Sequence, residues 1–270
     1  MKLRRFRGLL VMVNLLVMAL VLTDVLLHVT DPWGAFAYGD DLNQVWLHTE
    51  SDTLRRYRLV AGAYTFSTWQ MTILPDHTRR VPGTAETDCT VAVLGDSVTM
   101  GHGVSDGDTF TAQLAAAFGT VRFINAGVEA YNAEQIALTR QMVRAEGYLY
   151  LLIGNDADVR TVPHYVPPDG YRSGIALYWI IFQQQRGMMT GLVQDVPAFD
   201  AAITALKVDP TVTVIGIEGD PLAARAEVET IPVWTQVNSF ADPHPNAVGH
   251  REIAAALMPL VEALIQRRCL

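Results

Sequence analysis

Ser97 stands at the end of Val91-Ala92-Val93-Leu94-Gly95-Asp96, an apolar, β-branched run that stops in a Gly-Asp turn. A parallel strand delivers a nucleophilic hydroxyl to the carboxyl edge of an α/β sheet in this way, and ligands of such folds bind at that edge. Acyl transfer to a serine also needs a base for its proton and donors aimed where negative charge develops. His244 is the best candidate base, lying in the tight turn Asp242-Pro243-His244-Pro245-Asn246 ahead of the last helix, with Asp242 to orient its ring. The order Ser, Asp, His matches that of triads on open α/β sheets. Three groups could supply the oxyanion hole: the Ser97 N–H, the bare backbone N–H of Gly127 in Asn125-Ala126-Gly127, and the amide of Asn155 in Gly154-Asn155-Asp156. Singly these fragments have ordinary readings, because Gly-Asp-Ser is common turn chemistry, Asn155 suits a left-handed turn and Asn246 suits a helix cap. Four fragments at three strand ends and one pre-helix loop point jointly to a serine esterase. His102, near the nucleophile, is a secondary candidate for substrate contact; His250, one turn into the last helix, reads as packing or surface.

The elements that must hold these residues follow from periodicity. From Thr90 onward, strand and helix signals alternate, as in an α/β domain with a parallel sheet. Strands are predicted over 91–94, 120–125, 148–153 and 211–216, with a less regular stretch over 221–234. Helices are predicted near 108–118 with Asp108 as cap, near 132–146 with Asn132 as cap and Ile136, Met142 and Val143 inward, and near 197–206. A last helix over 246–267 turns Ile253, Ala256, Leu257, Leu260, Val261 and Leu264 to the core. Residues 157–194 read as an insertion: a Pro-rich loop, then an aromatic helix through 177–182 that packs in the core, lines a cleft or lies on a membrane surface. Residues 31–88 read as a membrane-proximal stalk and lead-in, with one small strand pair at 56–60 and 64–69, before a domain spanning 89–270.

Lys2, Arg4, Arg5 and Arg7 precede an apolar run from Gly8 to about Val29, near the ~20 residues of a membrane-spanning helix. A cleaved signal peptide and an uncleaved signal-anchor are both open; no clear small-residue cleavage site follows, which favours the anchor. The basic cluster would then keep residues 1–30 anchored with the tip in the cytoplasm and the remainder outside, at the cell membrane. The chain carries a net charge of −8, of which residues 1–30 hold +3, leaving −11 on the remainder. An acidic domain without a basic stripe argues against nucleic-acid binding. The two cysteines, Cys89 and Cys269, either pair or stay free thiols.

Together these blocks resemble the SGNH (GDSL-like) hydrolases over about residues 90–268, and most of all their membrane-tethered bacterial members. Gly95-Asp96-Ser97 matches the first block, Gly127 the second, Asn155 the third and His244 in His-Pro-Asn the fourth. Gly95 to Val104 and Asn125 to Asn132 match longer stretches of the tethered type. The resemblance implies a three-layer α/β/α, flavodoxin-like fold around a central parallel sheet, preceded here by the transmembrane helix. It also implies a shallow open site and ester hydrolysis without cofactor or metal. Exported relatives act on acyl esters of carbohydrates or lipids, and some transfer acyl groups, so an acylated carbohydrate or lipid is the expected partner, with the O-acetyl groups of an extracytoplasmic carbohydrate preferred. Two departures stand out: Asp242 and His244 are separated by one residue where the family has two, and no residue separates Gly154 from Asn155. The first leaves open a Ser-His dyad and, more distantly, a catalytically decayed glycan-binding or scaffold protein. A dinuclear metallophosphoesterase shares fragments such as Asp-x-His, but the order of elements and the lack of later histidine-rich strand ends disfavour it.

Overall fold

The computed structural model of the chain describes residues 2–30, 45, 48–159, 193–239 and 242–269. The apolar N-terminal run forms one helix, α1 (Lys2–Thr30). Its Leu10–Leu27 window has a mean hydropathy of 2.5 and is not buried against the rest of the chain, so by length and composition it is a candidate membrane span. Polar side chains within it turn back onto the helix. Asn14 Nδ2 donates to Leu10 O and Thr23 Oγ1 to Ala19 O, both at 2.8 Å, so each meets its need without water.

Within the segment expected as a stalk and lead-in, residues 49–73 form two antiparallel hairpins. β1 (Thr49–Asp52) pairs with β2 (Arg56–Leu59), and β3 (Gly62–Thr65) pairs with β4 (Gln70–Ile73). The predicted pairing of 56–60 with 64–69 is therefore corrected: each run finds another partner. Burial explains the choice. Tyr57, Leu59, Met71 and Ile73 alternate inward and, with Phe66 and Trp69, join the main core, an amount of apolar surface that a free stalk would leave in water.

The rest of the chain, from Thr90 on, is built from strand–helix alternation. β5 (Thr90–Gly95) leads into a one-turn helix α2 (Ser97–Met100), a 3₁₀ turn (Asp106–Asp108) and α3 (Phe110–Ala117). β6 (Arg122–Gly127), α4 (Ala133–Met142) and β7 (Gly147–Leu151) follow. The chain then runs through α5 (Val196–Val208), β8 (Val212–Ile217), α6 (Pro221–Ala226), β9 (Glu229–Ile231) and α7 (Ala247–Arg268). The five parallel strands lie in the order β6-β5-β7-β8-β9, the flavodoxin-like 2-1-3-4-5 arrangement. Val91 and Val93 face α3 and α7 on one side, whereas Ala92 and Leu94 face α4, α5, α6 and the hairpins on the other. This is the expected three-layer fold, and strands buried on both faces account for the unbroken apolar runs in the sequence.

Several expected boundaries move. Thr109, not Asp108, caps α3, its Oγ1 accepting from Ala112 N–H, because Asp108 closes the preceding 3₁₀ turn. Helix α4 has a capping box of Asn132 and Gln135 and stops at Met142, which is 46% exposed; Ile136 and, just beyond the helix, Val143 pack inward. The uncertain 221–234 stretch contains α6 and β9. Asn246 caps α7 by accepting from the Val248 and Gly249 amides. Cys89, one residue before β5, and Cys269, one residue after α7, form a disulfide with their Cα atoms 5.4 Å apart. Of the predicted insertion, residues 160–192, including the aromatic run at 177–182, lie outside the described residues. Its two ends are paired, Val159 N–H donating to Val193 O at 2.8 Å and Asp195 N–H to Ala157 O at 2.9 Å.

Candidate active site

Asp96 begins the turn that presents Ser97. Its Oδ1 accepts from Val98 N–H at 2.9 Å, which caps α2 and leaves Ser97 at the helix's first position. At the other end Gly101 takes φ 90°, a left-handed conformation that costs glycine little. Both Gly101 and His102 N–H donate to Ser97 O, at 2.9 and 3.0 Å, so the turn carrying the hydroxyl is tied down on both sides.

The long-range element is α7's lead-in loop, which returns to the same strand edge. His244 Nε2 lies 2.8 Å from Ser97 Oγ, and His244 Nδ1 lies 2.5 Å from Asp242 Oδ1. One intervening residue is therefore enough for Asp242 to reach the ring, and a dyad is not needed to explain the spacing. Asp242 is fully buried, its Oδ2 accepts from Asn238 Nδ2 at 2.9 Å, and its Oδ1 also accepts from the His244 amide at 3.2 Å. Burial alone would raise its pKa, but the hydrogen bond and charge of His244, with His102 and Asn238, outweigh this and lower it to about 2. An ionised Asp242 accepts from Nδ1–H and leaves the Nε2 lone pair for the serine proton.

Ser97 Oγ has a second neighbour, Asp96 Oδ2, at 3.3 Å. Burial is the main reason that the Asp96 carboxyl is raised to about 6, the charge of Glu129 adding to it. Asp156, from the third block, is fully buried next to it and is pushed up further by burial first and the charge of Asp96 second; Tyr150 Oη donates to its Oδ2 at 2.7 Å.

The expected oxyanion donors fare differently. Gly127 does come to the site, opposite Gly95 in the β5–β6 ladder. Its N–H, however, donates to Asn125 Oδ1 at 3.0 Å, and Asn125 Nδ2 donates in turn to Thr99 O at 2.8 Å. In this arrangement the Gly127 amide therefore already has an acceptor. What the position requires is the absence of a side chain: a Cβ would lie 2.6 Å from Thr99 C and 2.8 Å from Met100 Cα. Asn155 sits with its amide against Asp96, where its hydrogen bond works against the rise of that carboxyl, one residue from the nucleophile; its Oδ1 is buried without a partner among the described residues.

Sequence reasoning passed over Arg79, which is fully buried under the Ser97 turn. It bonds Asp106 Oδ1 at 3.0 Å and donates to the carbonyls of Met100, Gly101 and Val104 at 2.6–2.7 Å. Its one sequence signal is a basic residue inside a turn-rich linker, which reads as surface. His102, expected as a substrate contact, has no exposed surface; it bonds Glu129 and faces Asp242, so that expectation is corrected. His250 is buried packing, as read: its Nδ1 accepts from Phe110 N–H at 3.2 Å, and burial lowers its pKa to about 3. The ligand atoms of His102, Asp242 and His244 lie within 4.8 Å of one another. They do not form a good metal set, since both nitrogens of His244 are already engaged, by Asp242 and by Ser97.

A five-stranded 2-1-3-4-5 sheet with its serine turn after the first parallel strand is the three-layer α/β arrangement that the resemblance implies. No protein-family model and no curated protein matches the chain. Among solved structures, it is similar to a carbohydrate acetylesterase family member from Sinorhizobium meliloti, at 13% identity and TM-score 0.38, over 66% of this chain and 99% of that one. It is also similar to the aryl esterase of M. smegmatis, at 14% identity and TM-score 0.38, over 65% and 99%. A third is a member of the lipolytic G-D-S-L family from Veillonella parvula, at 15% identity and TM-score 0.35, over 64% and 98%.

Proposed function

We propose that this protein is a serine esterase that removes a small acyl group from an extracytoplasmic carbohydrate. The observation that carries the reading is the continuous contact from Ser97 Oγ to His244 Nε2 and from His244 Nδ1 to Asp242. In the first half-reaction, Ser97 Oγ attacks the ester carbonyl carbon as its proton moves to His244 Nε2, and the carbonyl π pair moves onto oxygen. Collapse of that oxyanion expels the alcohol, which takes the proton back from Nε2 and leaves an acyl ester on Ser97. A water molecule then repeats the sequence, losing its proton to His244, and releases the acid with the serine hydroxyl restored. The developing oxyanion is met by the Ser97 N–H and the Asn155 amide, with Gly127 held back by Asn125.

The decayed, glycan-binding alternative drew on the short Asp–His spacing, and the 2.5 Å contact leaves that argument without support. Export on a tether is supported by the basic tip ahead of α1 and by the Cys89–Cys269 disulfide, which suits an oxidising compartment. The division into anchor, 1–30, and outward-facing hydrolase domain follows from the same two features.

The protonation of His244 sets the pH response. Burial lowers its pKa, but the hydrogen bond and charge of Asp242, with the charges of Glu129 and Asp96, outweigh burial and hold it above the ordinary 6.5. Only neutral His244 takes the serine proton, so kcat/KM for p-nitrophenyl acetate should fall on acidification with a midpoint above pH 6.5. Asp242→Asn should move that midpoint down as well as slow the reaction. Release of acetate from O-acetylated envelope polysaccharides, measured against the Ser97→Ala protein, tests the substrate class. Acetate release by wild type alone is the expected result, and hydrolysis of p-nitrophenyl acetate with no release from any acetylated glycan would direct the assignment to another ester.

A further inference from the structure

Behind the Asp242–His244 pair lies a second histidine–carboxylate pair that the reaction scheme above does not use. His102 and Glu129 are both buried, at 0% and 4% exposure, far from each other in sequence and delivered by different strand ends. His102 Nδ1 lies 3.2 Å from Glu129 Oε2, and its Nε2 faces Asp242 Oδ2 at 3.7 Å with no hydrogen-bond partner among the described residues. The ring also backs the His244 ring, with centroids 4.6 Å apart and planes inclined by 36°. On its other side Trp69 closes the space at 5.4 Å.

The backbone is shaped to put both groups there. His102 sits between Gly101 and Gly103, both left-handed, at φ 90° and 82°. Glu129 precedes Ala130, a buried non-glycine residue at φ 54°, a conformation that costs an alanine on the order of 1 kcal/mol and that clusters at functional turns. Tyr57 Oη, from the N-terminal hairpins, donates to Glu129 O at 2.9 Å and fixes that turn. Two charged-capable groups without solvent access and a strained turn are hard to explain as packing, since apolar side chains would fill the same space at lower cost.

We propose that His102, held by Glu129, is a positioning residue for the Asp242–His244 pair, closing the side of the Asp242 carboxylate that His244 does not use and backing the His244 ring face. This inference rests on the esterase reading. It accounts for how a turn with only Pro243 between acid and base keeps both aligned: the carboxylate is bonded by Asn238 and faced by the His102 ring, which leaves the His244 ring one orientation in which to meet Ser97. Neither His102 nor Glu129 touches substrate.

Kinetics of His102→Ala, Glu129→Gln and Glu129→Asp on p-nitrophenyl acetate test it. The groups facing His244 are Asp242 in its own turn, Glu129 after β6, Asp96 after β5, His102 after α2 and His250 in α7. Of these, Glu129→Gln removes one negative charge and changes little volume. In His102→Ala and Glu129→Gln, kcat should drop about 10- to 100-fold while KM moves by less than about threefold, as expected when a reacting group loses alignment but binding is kept. The acid limb of kcat/KM should move to lower pH in Glu129→Gln and stay in place in Glu129→Asp, which keeps the anion and should restore most of kcat. Unchanged kcat in both His102→Ala and Glu129→Gln, or a rise in KM alone, would overturn the proposal. If His102→Ala melts below the assay temperature, the near-isosteric Glu129→Gln decides. Turnover by wild type that Ser97→Ala abolishes secures the esterase reading separately: with it intact and the variants unimpaired, only this inference fails, whereas without wild-type turnover both fail.

Discussion

Ser97→Ala and His244→Ala should each reduce hydrolysis of p-nitrophenyl acetate by at least about 10⁴-fold, to the residual rate that binding and oxyanion donors alone supply. The double variant should be no slower than either single one, because a nucleophile without its base and a base without its nucleophile are equally idle. Ser97 Oγ touches only the site's own His244 and Asp96, so the thermal midpoint of Ser97→Ala should stay within about 2–3 °C of wild type, whereas His244→Ala, which leaves the buried Asp242 carboxylate without its partner, should melt lower. Asp242→Asn separates triad from dyad. As a triad member whose Oδ1 holds Nδ1–H at 2.5 Å, its amide replacement presents the wrong partner to the ring and should cost about 10³- to 10⁴-fold; a dyad would lose less than about tenfold. Turnover retained in Ser97→Ala or His244→Ala would reject the site assignment.

Arg79→Met should destabilise the folded protein by about 3–5 kcal/mol, the range for breaking a buried ion pair from one side. The guanidinium is fully buried, and burial lowers its pKa to about 10, which leaves it charged at neutral pH. Methionine would fill much of the volume but remove the guanidinium donors to the Met100, Gly101 and Val104 carbonyls, and leave Asp106 with Arg80 as its one ion-pair partner among the described residues. The neighbouring Arg80 is the control. It bonds the same carboxylate at 3.0 Å, but its side chain is 54% exposed, and Arg80→Met should cost no more than about 1 kcal/mol. Urea unfolding of both variants measures the difference. Because Arg79 also carries the nucleophile turn, its variant should lose activity in parallel; equal stability of the two variants would show that the turn is held by other means.

How much of this was legible in the sequence depends on whether a feature is local. The parallel strands could be read because burial on both faces leaves unbroken apolar runs such as Val91–Leu94, and the caps Asn132 and Asn246 announce their helices. The relation of Ser97, Asp242 and His244 was read from turn chemistry at strand ends, and the coordinates bring those three together. The hairpins were misread because four-residue strands with alternating burial give short signals that several pairings satisfy; only packing against the sheet selects among them. Gly127 was assigned a donor from its lack of a side chain, which the structure uses instead to admit the α2 backbone, while Asn125 takes the amide. The role of Arg79, and the pairing of His102 with Glu129, were invisible for a common reason. Each is an ordinary polar residue until a partner 21 or more positions away is brought beside it by the fold.

Covalent labelling with a fluorophosphonate is the most direct measurement. Wild-type protein should take up one phosphonyl group, located on Ser97 by mass spectrometry of its peptides, with labelling lost in Ser97→Ala and strongly slowed in His244→Ala. A well-folded wild-type protein that remains unlabelled, or a label found on another residue, would contradict the account.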